Sequence, residues 1–276
     1  MLKPSVPHAL GASLFSLAVG VVPVALAQSN TTQISANGLT CFNGYGYTLD
    51  GGDYRYTEHH EVRRIDGQIT TWNVIYIGRQ GRVLAKKHMD FSENPTVPVY
   101  RMIMPASGYQ EGIRHQNGRW RMARRESADA KIKTKAFEID KPMAADAGFN
   151  ILVQNYFDTL QAGQMLPFKF VAAGRQSVID LKANKTGATT FEGRPAVNFT
   201  AKLDMFLVGW FVSSLKLTYD PATRRLLEYR GIGNIRGRDG KVYPVRVSYY
   251  SQMPQAASAH DAPAASCGST DADWNA

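Results

Sequence analysis

The sequence has few of the residues and motifs that mark the common kinds of catalytic and metal-binding site. Its two cysteines, Cys41 and Cys267, stand too far apart to form the Cys-x-x-Cys pairs of structural zinc sites. The Gly-x-Ser-x-Gly pattern that presents a nucleophilic serine is missing. No RNP, zinc-finger or helix-turn-helix pattern accompanies the positive charge of the chain. We therefore expect no enzyme, no metal site, no cofactor and no nucleic-acid partner.

Beyond the N-terminus the sequence also lacks an apolar run of the roughly 18 or more residues that a membrane-spanning helix needs. At the N-terminus, Lys3 precedes an apolar run over residues 9–22, and Ala25-Leu26-Ala27 has the form of a cleavage site. Residues 1–27 are thus predicted to be a secretory signal peptide, and Gln28 after the site argues against a lipoprotein anchor. The remaining chain is predicted to be exported, periplasmic and soluble.

Acidic residues are outnumbered by basic ones. Removal of residues 1–27, whose one charged side chain is Lys3, lowers the formal net charge from +9 to +8. A basic exported protein attracts anionic partners such as phospholipid headgroups, and solubility alone is the alternative. The charge is concentrated between residues 114 and 135, where stripes of basic residues either bind phosphates or simply solvate a sheet and protect its edges. Candidate contacts to an anionic membrane surface are Arg114, Arg119, Arg121, Arg124 and Arg125.

The two cysteines allow one disulfide. An oxidising compartment would let Cys41 and Cys267 pair, which would tie the first strand to the C-terminal tail. Two unpaired thiols are the alternative, because the distance between two cysteines cannot be read from a sequence.

Alternation of polar and apolar residues dominates the chain between residues 41 and 251. Trp72, Val74 and Tyr76, for example, fall on one face of a strand. Turn sequences such as Asp66-Gly67 separate about a dozen such runs. The pattern predicts a single mainly-β domain over residues 41–251, built as one large antiparallel meander that forms a closed or half-open barrel.

Polar segments flank this domain on both sides. Residues 28–40 are predicted to form a flexible linker. Residues 252–276 are rich in alanine, serine and proline, and for them we expect a disordered tail.

One segment has the periodicity of a helix. Its apolar residues follow the first one at intervals of three, four, seven and eleven positions, which makes a continuous stripe: Phe149, Leu152, Val153, Tyr156 and Leu160. Asp146 can serve as the N-cap or as a first-turn acid, and Gly163 fits the C-terminal stop. The spacing predicts one amphipathic helix over about residues 146–162, packed on or in the sheet.

The sequence Glu58-His59-His60-Glu61 has the residue types of a metal site. On a strand, however, His59 and His60 point to opposite faces, so they cannot bind one ion together. We therefore do not predict a metal here. Glu58 and His60 share a face with Tyr54 and Tyr56.

The segment 204–213 is rich in apolar residues but does not alternate, and Gly209 interrupts it. We predict an apolar loop or helical turn here, which either seals one end of the barrel or forms a mouth that meets lipid or ligand. With aromatic residues of the strands and of the helix, it supplies the candidate ligand-binding set: Tyr54, Tyr56, Trp72, Tyr76, Tyr156, Phe206, Trp210 and Phe211. The alternative for each of these residues is that it fills the core.

Five segments carry a resemblance to known proteins. They read YTLDGGDYRYTEHHE, GRVLAKKHMDFS, GYQEGIR, DAGFNILVQNYFDTLQAG and LTYDPATRRLLEYRGIGNIRGRDGKVYPVRVSYY. Over roughly residues 40–250 the chain resembles a family of uncharacterised exported β-proteins of Gram-negative bacteria. The shared motifs are hairpin turns and a helix start, so the resemblance implies a fold and no catalytic residues. More loosely, a large meander with a helix is similar to the half-barrels of periplasmic lipoprotein carriers, which is an analogy of fold.

Three functions are compatible with these patterns. The first is the binding of an apolar or amphiphilic ligand, such as a lipid or acyl chain, in a curved sheet, because large barrels leave interior space. The second is a structural or protein-interaction role in the cell envelope without a small ligand. The third is an unrecognised hydrolase, which has the least support because no nucleophile can be named.

Overall fold

The computed structural model describes Met1 and residues 37–50, 52–203, 214–237, 239–261 and 267. The predicted signal peptide, apart from Met1, lies outside these ranges. Residues 34–276 belong to one compact unit, and every element named below is part of it. Within the described ranges no helix has both the length and the apolar character needed to cross a membrane.

The described residues form fifteen β-strands. The first eight are β1 (Gly38–Thr48), β2 (Tyr54–Ile65), β3 (Gln68–Gly78), β4 (Val83–Asp90), β5 (Val99–Met104), β6 (Tyr109–Gln116), β7 (Arg119–Arg125) and β8 (Lys133–Phe137). The other seven are β9 (Met143–Ala144), β10 (Leu166–Ala172), β11 (Ser177–Phe191), β12 (Arg194–Leu203), β13 (Ser214–Tyr219), β14 (Leu226–Arg236) and β15 (Val242–Tyr249).

These strands make one sheet in the order β8-β7-β6-β5-β4-β3-β2-β1-β15-β14-β13-β12-β11-β10-β9. Neighbours are antiparallel except for β9 and β10, which run parallel. Because β1 pairs with β15 as well as with β2, the first and last strands lie in the middle of the sheet and β8 and β9 form its edges. In the described part of the chain those edges do not pair with each other. The antiparallel meander is thus confirmed, and the closed form of the barrel is wrong.

The two halves of this open sheet nevertheless touch. The turn at residues 173–175, between β10 and β11, contacts β6 and β7 of the other half. A Cβ atom on Gly174 would lie 2.1 Å from Oε2 of Glu111, so a larger residue here would push the Glu111 carboxylate aside. The side-chain amide of Gln176 also donates a hydrogen bond to the carbonyl oxygen of Lys133 over 2.9 Å. A turn and single side chains make these contacts, whereas the described edge strands β8 and β9 form no ladder with each other.

Two short helices replace the one predicted amphipathic helix. They are α1 (Gly148–Asn155) and α2 (Phe157–Gln161), separated by Tyr156, whose φ of −104° and ψ of 20° are not helical. The kink rotates the second helix, so that Phe157 is buried and Tyr156 is only half-buried. The chain turns away after α2 at Gly163, as predicted, with a φ of +81° that favours glycine.

The buried side chains divide into two main clusters. One lies under β2 to β7 and β15, and the other lies between the helices and β10 to β13. In the second cluster, the ring of Phe149 in α1 stacks on Phe168 at 5.2 Å, and Phe157 in α2 meets Phe199 edge-on at 5.3 Å. We call the face of the sheet that carries these residues the inner face. The helices therefore cover mainly the inner face of the C-terminal half, and Ile151 of α1 also packs against the first cluster.

The chain after β15 folds back on the middle of the sheet. Asp261 accepts hydrogen bonds from the backbone N–H groups of Gln80 and Gly81, both of which have positive φ and form an anion-binding nest. Ala257 is buried beside Tyr54. Residues 252–261, the first part of the segment for which composition predicts disorder, thus have defined contacts. The rest of that segment, apart from Cys267, lies outside the described residues.

A disulfide joins Cys41 in β1 to Cys267, with the two Cα atoms 5.4 Å apart. The sequence left open whether these two cysteines pair or remain free thiols, and in the structure they are paired. Because 226 positions separate the two cysteines, the bond ties the central strand β1 to the end of the chain.

Removal of this disulfide should destabilise the fold. Loss of a native disulfide that closes a long loop typically costs about 2–5 kcal/mol, because the unfolded chain regains entropy. We expect the Cys41→Ser/Cys267→Ser variant to unfold at a lower urea concentration than the oxidised protein, and at the same concentration as the protein treated with dithiothreitol. Equal midpoints for the oxidised protein and the double variant would contradict this.

Candidate functional site

A cavity of about 690 Å³ lies between the inner face of the sheet and α1. Its volume falls within the range of roughly 300–1,000 Å³ that is typical of small-molecule sites. Much of its wall is apolar and comes from β2, β3, β4 and β15, including Val62, Trp72, Val74, Met89, Val245 and Val247. The cavity thus occupies space that the two short helices do not fill.

Glycines in β1 make room for the tyrosine rings of the wall. A Cβ atom on Gly44 would lie 2.6 Å from the ring of Tyr249, and one on Gly46 would lie 2.8 Å from the ring of Tyr56. Real Cβ atoms do not approach so closely, so the two rings can lie against the backbone of β1 only because these positions lack a side chain. The aromatic wall thus depends on the glycines of the central strand.

A buried ion pair crosses the cavity between the sheet and the start of α1. The ammonium group of Lys87 in β4 lies 2.6 Å from Oδ2 of Asp146, and only 1% of the Lys87 side chain is exposed. The register of β4 places Lys87 between Val74 of β3 and Met102 of β5, so its charge has apolar neighbours on both sides. Burial of a charge in such surroundings is costly unless an opposite charge pairs with it.

Asp146 does not have the role that the sequence predicted for it, which was the N-cap or a first-turn acid of the helix. The N-cap of α1 is Ala147, and Asp146 precedes it with a φ of +46°. Its Oδ1 accepts a hydrogen bond from the N–H of Ala147, which leaves Oδ2 for Lys87. The sequence marked Asp146 as a helix-start residue and gave no sign that a lysine 59 positions away is its partner.

The loop between β4 and β5 holds this helix start in place. The N–H of Ala145 donates to the carbonyl oxygen of Thr96 over 2.9 Å. A Cβ atom on Gly148 would lie 2.1 Å from the same oxygen, so the first residue of α1 packs directly on that loop. Asn94 braces the loop by accepting hydrogen bonds from the N–H groups of Thr96 and Val97.

A second polar group in the cavity is a chain of hydrogen bonds around His60. The indole N–H of Trp72 can only donate, and it lies 2.9 Å from Nδ1 of His60. His60 must therefore carry its proton on Nε2, from which it donates to Oε2 of Glu58 over 3.1 Å. Tyr249 donates to the same oxygen over 3.4 Å. Both ring nitrogens of His60 are thus engaged, and the ring is held in place without a free basic nitrogen.

A third polar group lies at the other end of the cavity. Glu111 of β6 accepts hydrogen bonds from the hydroxyl groups of Tyr109 at 2.5 Å and Tyr100 at 3.3 Å. Arg236 of β14 donates to the Tyr109 hydroxyl over 3.0 Å, and its guanidinium carbon lies 3.9 Å from the centroid of that ring. These contacts also join β14 to the N-terminal half of the sheet.

The tyrosines of the wall remain protonated well above neutral pH. Burial raises the pKa of Tyr56, Tyr76 and Tyr249 well above its ordinary value, and the nearby charge of Glu58 raises it further. Each therefore presents a neutral phenol. The hydroxyl of Tyr56 is buried without a hydrogen-bond partner among the described residues, whereas that of Tyr76 accepts from Asn234 over 3.0 Å.

Positive groups exceed negative ones around the cavity. The basic residues of its lining are Arg64, Lys87, Arg124, Arg175, Arg225, Arg236 and Lys241. The acidic residues are Glu58, Glu111 and Asp146. The electrostatic environment of the cavity therefore favours a neutral or anionic ligand over a cationic one.

The predicted ligand-binding residues do not all reach this cavity. Tyr56, Trp72 and Tyr76 line it, and the last two lie on one face of β3 as the alternation predicted. Tyr54 lies elsewhere, because the C-terminal segment covers it and its hydroxyl bonds to Thr57 over 2.7 Å. Tyr156 stands at the kink between the helices and packs on the second core cluster. Phe206, Trp210 and Phe211 lie outside the described residues, so the role of that segment stays a prediction.

The five predicted anion-contacting arginines do not form one surface. Arg114 of β6 pairs with Arg121 of β7, and alternation along β7 puts Arg119, Arg121 and Arg125 on the outer face. Arg124 lies on the inner face opposite Glu111 and lines the cavity. The sequence grouped these residues by proximity along the chain, while the sheet separates them by face.

The two histidines of the Glu-His-His-Glu sequence lie on opposite faces, as predicted. Nδ1 of His59 donates to the side-chain oxygen of Asn43 over 2.9 Å, whereas His60 belongs to the cavity. Among the residues that the structure describes, no three His, Cys, Asp or Glu side chains are grouped so that they could hold a metal ion. Sequence reasoning missed Glu58, Lys87, Glu111 and Asp146 as a set, because only the register of distant strands brings them together.

Replacement of Asp146 by alanine should destabilise the protein by about 3–5 kcal/mol, because it leaves a buried ammonium group without a partner. Denaturant unfolding would measure this, and Lys87→Met in the same chain should recover most of the loss. Lys169→Ala is the matched control, since it breaks an exposed pair with Asp140 and should cost no more than about 1 kcal/mol. An Asp146→Ala variant as stable as this control would contradict the role of the pair.

Comparison with known proteins adds no assignment to this geometry. No family model matches the chain, and no curated protein or solved structure matches it. Function must therefore be inferred from the cavity itself.

Proposed function

We propose that this protein is an exported binding protein that holds an apolar or amphiphilic molecule, such as a lipid or an acyl chain, in the cavity between the sheet and α1. The observation that carries the proposal is the cavity of about 690 Å³ with its wall of aromatic and aliphatic side chains. Such a space favours a ligand that brings its own apolar surface, because burial of that surface is worth about 25 cal/mol per Å².

The polar groups of the cavity favour binding over catalysis. Glu58, Glu111 and Asp146 each accept hydrogen bonds or an ion pair from neighbouring side chains. His60 has no free ring nitrogen with which to take a proton from a substrate. A general base needs an unoccupied acceptor within hydrogen-bond reach of its substrate, so these groups are better suited to shaping the wall.

Two features support export to an oxidising compartment. The N-terminal sequence has the layout of a signal peptide, and Cys41 and Cys267 are paired. Structural disulfides persist outside the reducing cytosol, where a protein of the cell envelope would meet lipids.

Binding should strengthen with the length of the apolar chain. Each buried CH₂ group contributes about 0.8 kcal/mol, which corresponds to a roughly fourfold gain in affinity per carbon until the cavity is full. The test is displacement of a fluorescent fatty-acid probe from the delipidated protein by saturated chains of increasing length. A protein that binds no probe and no chain would refute the proposal and favour an envelope role without a small ligand.

Ala172→Phe should weaken this binding at least tenfold, because Ala172 lines the cavity at the end of β10 and a phenyl ring there would occupy ligand space. Ala188→Phe is the matched control, since Ala188 is an exposed strand residue outside the lining. Thermal unfolding of both variants would verify that they fold. Ala147→Leu, at the start of α1, is a second substitution in the cavity lining, and it adds less volume than Ala172→Phe. Unchanged affinity in both lining variants would place the ligand elsewhere.

A further inference from the structure

One hydroxyl group in the wall of the cavity differs from its neighbours. Tyr56 lines the cavity and is only 4% exposed, yet its hydroxyl has no hydrogen-bond partner among the residues that the structure describes. Buried hydroxyl groups are nearly always bonded, because an unmade bond leaves the cost of removing the group from water uncompensated. The missing partner of Tyr56 therefore requires an explanation.

Other tyrosines of the same wall show the usual arrangement. Tyr219 donates to the side-chain oxygen of Asn150 over 2.9 Å, and Tyr229 donates to the carbonyl oxygen of Ile232 over 2.9 Å. Three further hydroxyls of the wall are bonded in the pairs Tyr76 with Asn234, Tyr100 with Glu111 and Tyr249 with Glu58. The fold thus supplies partners for these hydroxyls, and within the described ranges it supplies none for that of Tyr56.

Protein atoms cover the ring of Tyr56 on two sides. The ring lies against the backbone of β1 at Gly46, where a Cβ atom would be 2.8 Å from it. It also meets the ring of Tyr76 edge-on, with the two centroids 6.0 Å apart. Neither contact is a hydrogen bond. The cavity, which Tyr56 also lines, supplies the space in which an acceptor can lie.

Tyr56 offers a proton to such an acceptor. Burial raises the pKa of Tyr56 well above its ordinary value, and the charge of Glu58 raises it further. The phenol is therefore neutral and keeps its proton at physiological pH. A ligand that is mostly apolar would meet this donor with an oxygen atom, which is the usual acceptor for a hydroxyl group.

Glu58 restricts the charge of that oxygen. Alternation along β2 places Glu58 on the same face as Tyr56, two positions further on, and both residues line the cavity. The carboxylate of Glu58 would repel a second negative charge beside Tyr56, and more strongly than in water because the local dielectric constant is lower. An uncharged oxygen, such as that of an ester or ketone carbonyl, accepts the hydrogen bond without this repulsion.

We propose that the cavity binds amphiphiles through an uncharged carbonyl group, whose oxygen accepts a hydrogen bond from the hydroxyl of Tyr56. This inference rests on the proposed binding function and adds to it the polar group of the ligand and the position of that group. Fatty-acyl esters are a class of lipid that combines such a carbonyl with a long apolar chain. The chain would then extend along the apolar wall at Val74, Met89 and Val247.

The test compares three ligands with similar chains. 2-Tridecanone has an uncharged carbonyl, tridecane has none, and laurate carries a negative charge at neutral pH. In displacement of a fluorescent probe, Tyr56→Phe should bind 2-tridecanone about fivefold more weakly than the wild-type protein does, which is the usual effect of one lost hydrogen bond. The affinities for tridecane and laurate should change less than twofold, since neither ligand places an acceptor at Tyr56.

Infrared spectroscopy provides a readout that does not depend on affinity. A hydrogen bond to a carbonyl oxygen weakens the C=O bond and lowers its stretching frequency. The carbonyl band of bound 2-tridecanone should therefore lie at a lower frequency in the wild-type protein than in Tyr56→Phe. Equal frequencies in the two complexes would contradict the proposed contact.

Tyr54→Phe is the matched control. Tyr54 lies in the same strand and is also 4% exposed, but it stands outside the cavity lining and its hydroxyl is bonded to Thr57 over 2.7 Å. Without ligand, Tyr54→Phe should unfold at a lower urea concentration than the wild type, because it loses this bond. Tyr56→Phe should not, because its hydroxyl has no bond to lose. Tyr54→Phe should bind all three ligands as the wild type does.

The outcomes separate the two proposals. Absence of binding for all three ligands would overturn both. Equal changes in the affinities for 2-tridecanone and tridecane in Tyr56→Phe would overturn the role of Tyr56 and leave the proposed function intact. A loss for laurate as large as that for 2-tridecanone would overturn the restriction to an uncharged group. A lowered urea midpoint for ligand-free Tyr56→Phe would mean that the hydroxyl already has a partner, which also overturns the inference.

Discussion

The width of the sheet exceeds what its helices can cover, and the rest of the structure depends on that mismatch. Fifteen strands at a spacing of about 4.8 Å extend for roughly 67 Å across the sheet. The helices have eight and five residues, which makes them about 12 Å and 8 Å long. The two helices therefore cannot cover an inner face of this size by themselves. The contacts of the turn at 173–175 with β6 and β7 are part of that covering, and the cavity is the part that remains open.

The polar groups inside the cavity follow from the same constraint. A face that is neither fully solvated nor fully packed can keep charges only if they are paired. Lys87 and Asp146 satisfy this condition and also fix the start of α1 over the N-terminal half of the sheet. In the hydrogen-bonded chain Trp72–His60–Glu58, the partner of the Glu58 carboxylate is a neutral donor, the Nε2–H group of His60.

Local pattern in the sequence predicted the strands well because a strand's alternation is set by neighbours two residues apart. Trp72, Val74 and Tyr76 were placed on one face by that rule alone, and they share the cavity wall. The kink at Tyr156 was not predictable in this way, since the continuous stripe of apolar residues agrees with an unbroken helix. The tertiary packing of Phe157 against Phe199 decided between the two.

The site was harder to predict than the fold, because its residues are far apart in the sequence and only the pairing of distant strands brings them together. Lys87 and Asp146 are 59 positions apart, and Tyr249 and Glu58 are 191 apart. Nothing near Lys87 in the sequence distinguishes it from Lys86. The alternation of the strand places the side chain of Lys86 on the other face. Tyr54 was misplaced for a related reason, because the C-terminal segment that covers it is remote in sequence.

Positive charge therefore has two separate origins in this protein, with different physical consequences. The arginines of β6 and β7 that lie on the outer face are close in sequence, and Arg114 and Arg119 among them are exposed. Salt therefore screens these two over about 8–10 Å, and they attract anions without selecting among them. Arg64 and Arg225 come from distant segments and are half-buried, where screening by salt is weaker. Attraction of anions in general and contact with a molecule in the cavity would thus belong to different faces of the same sheet. Only the second depends on the sheet being open, since a closed and filled barrel would leave no space for a ligand.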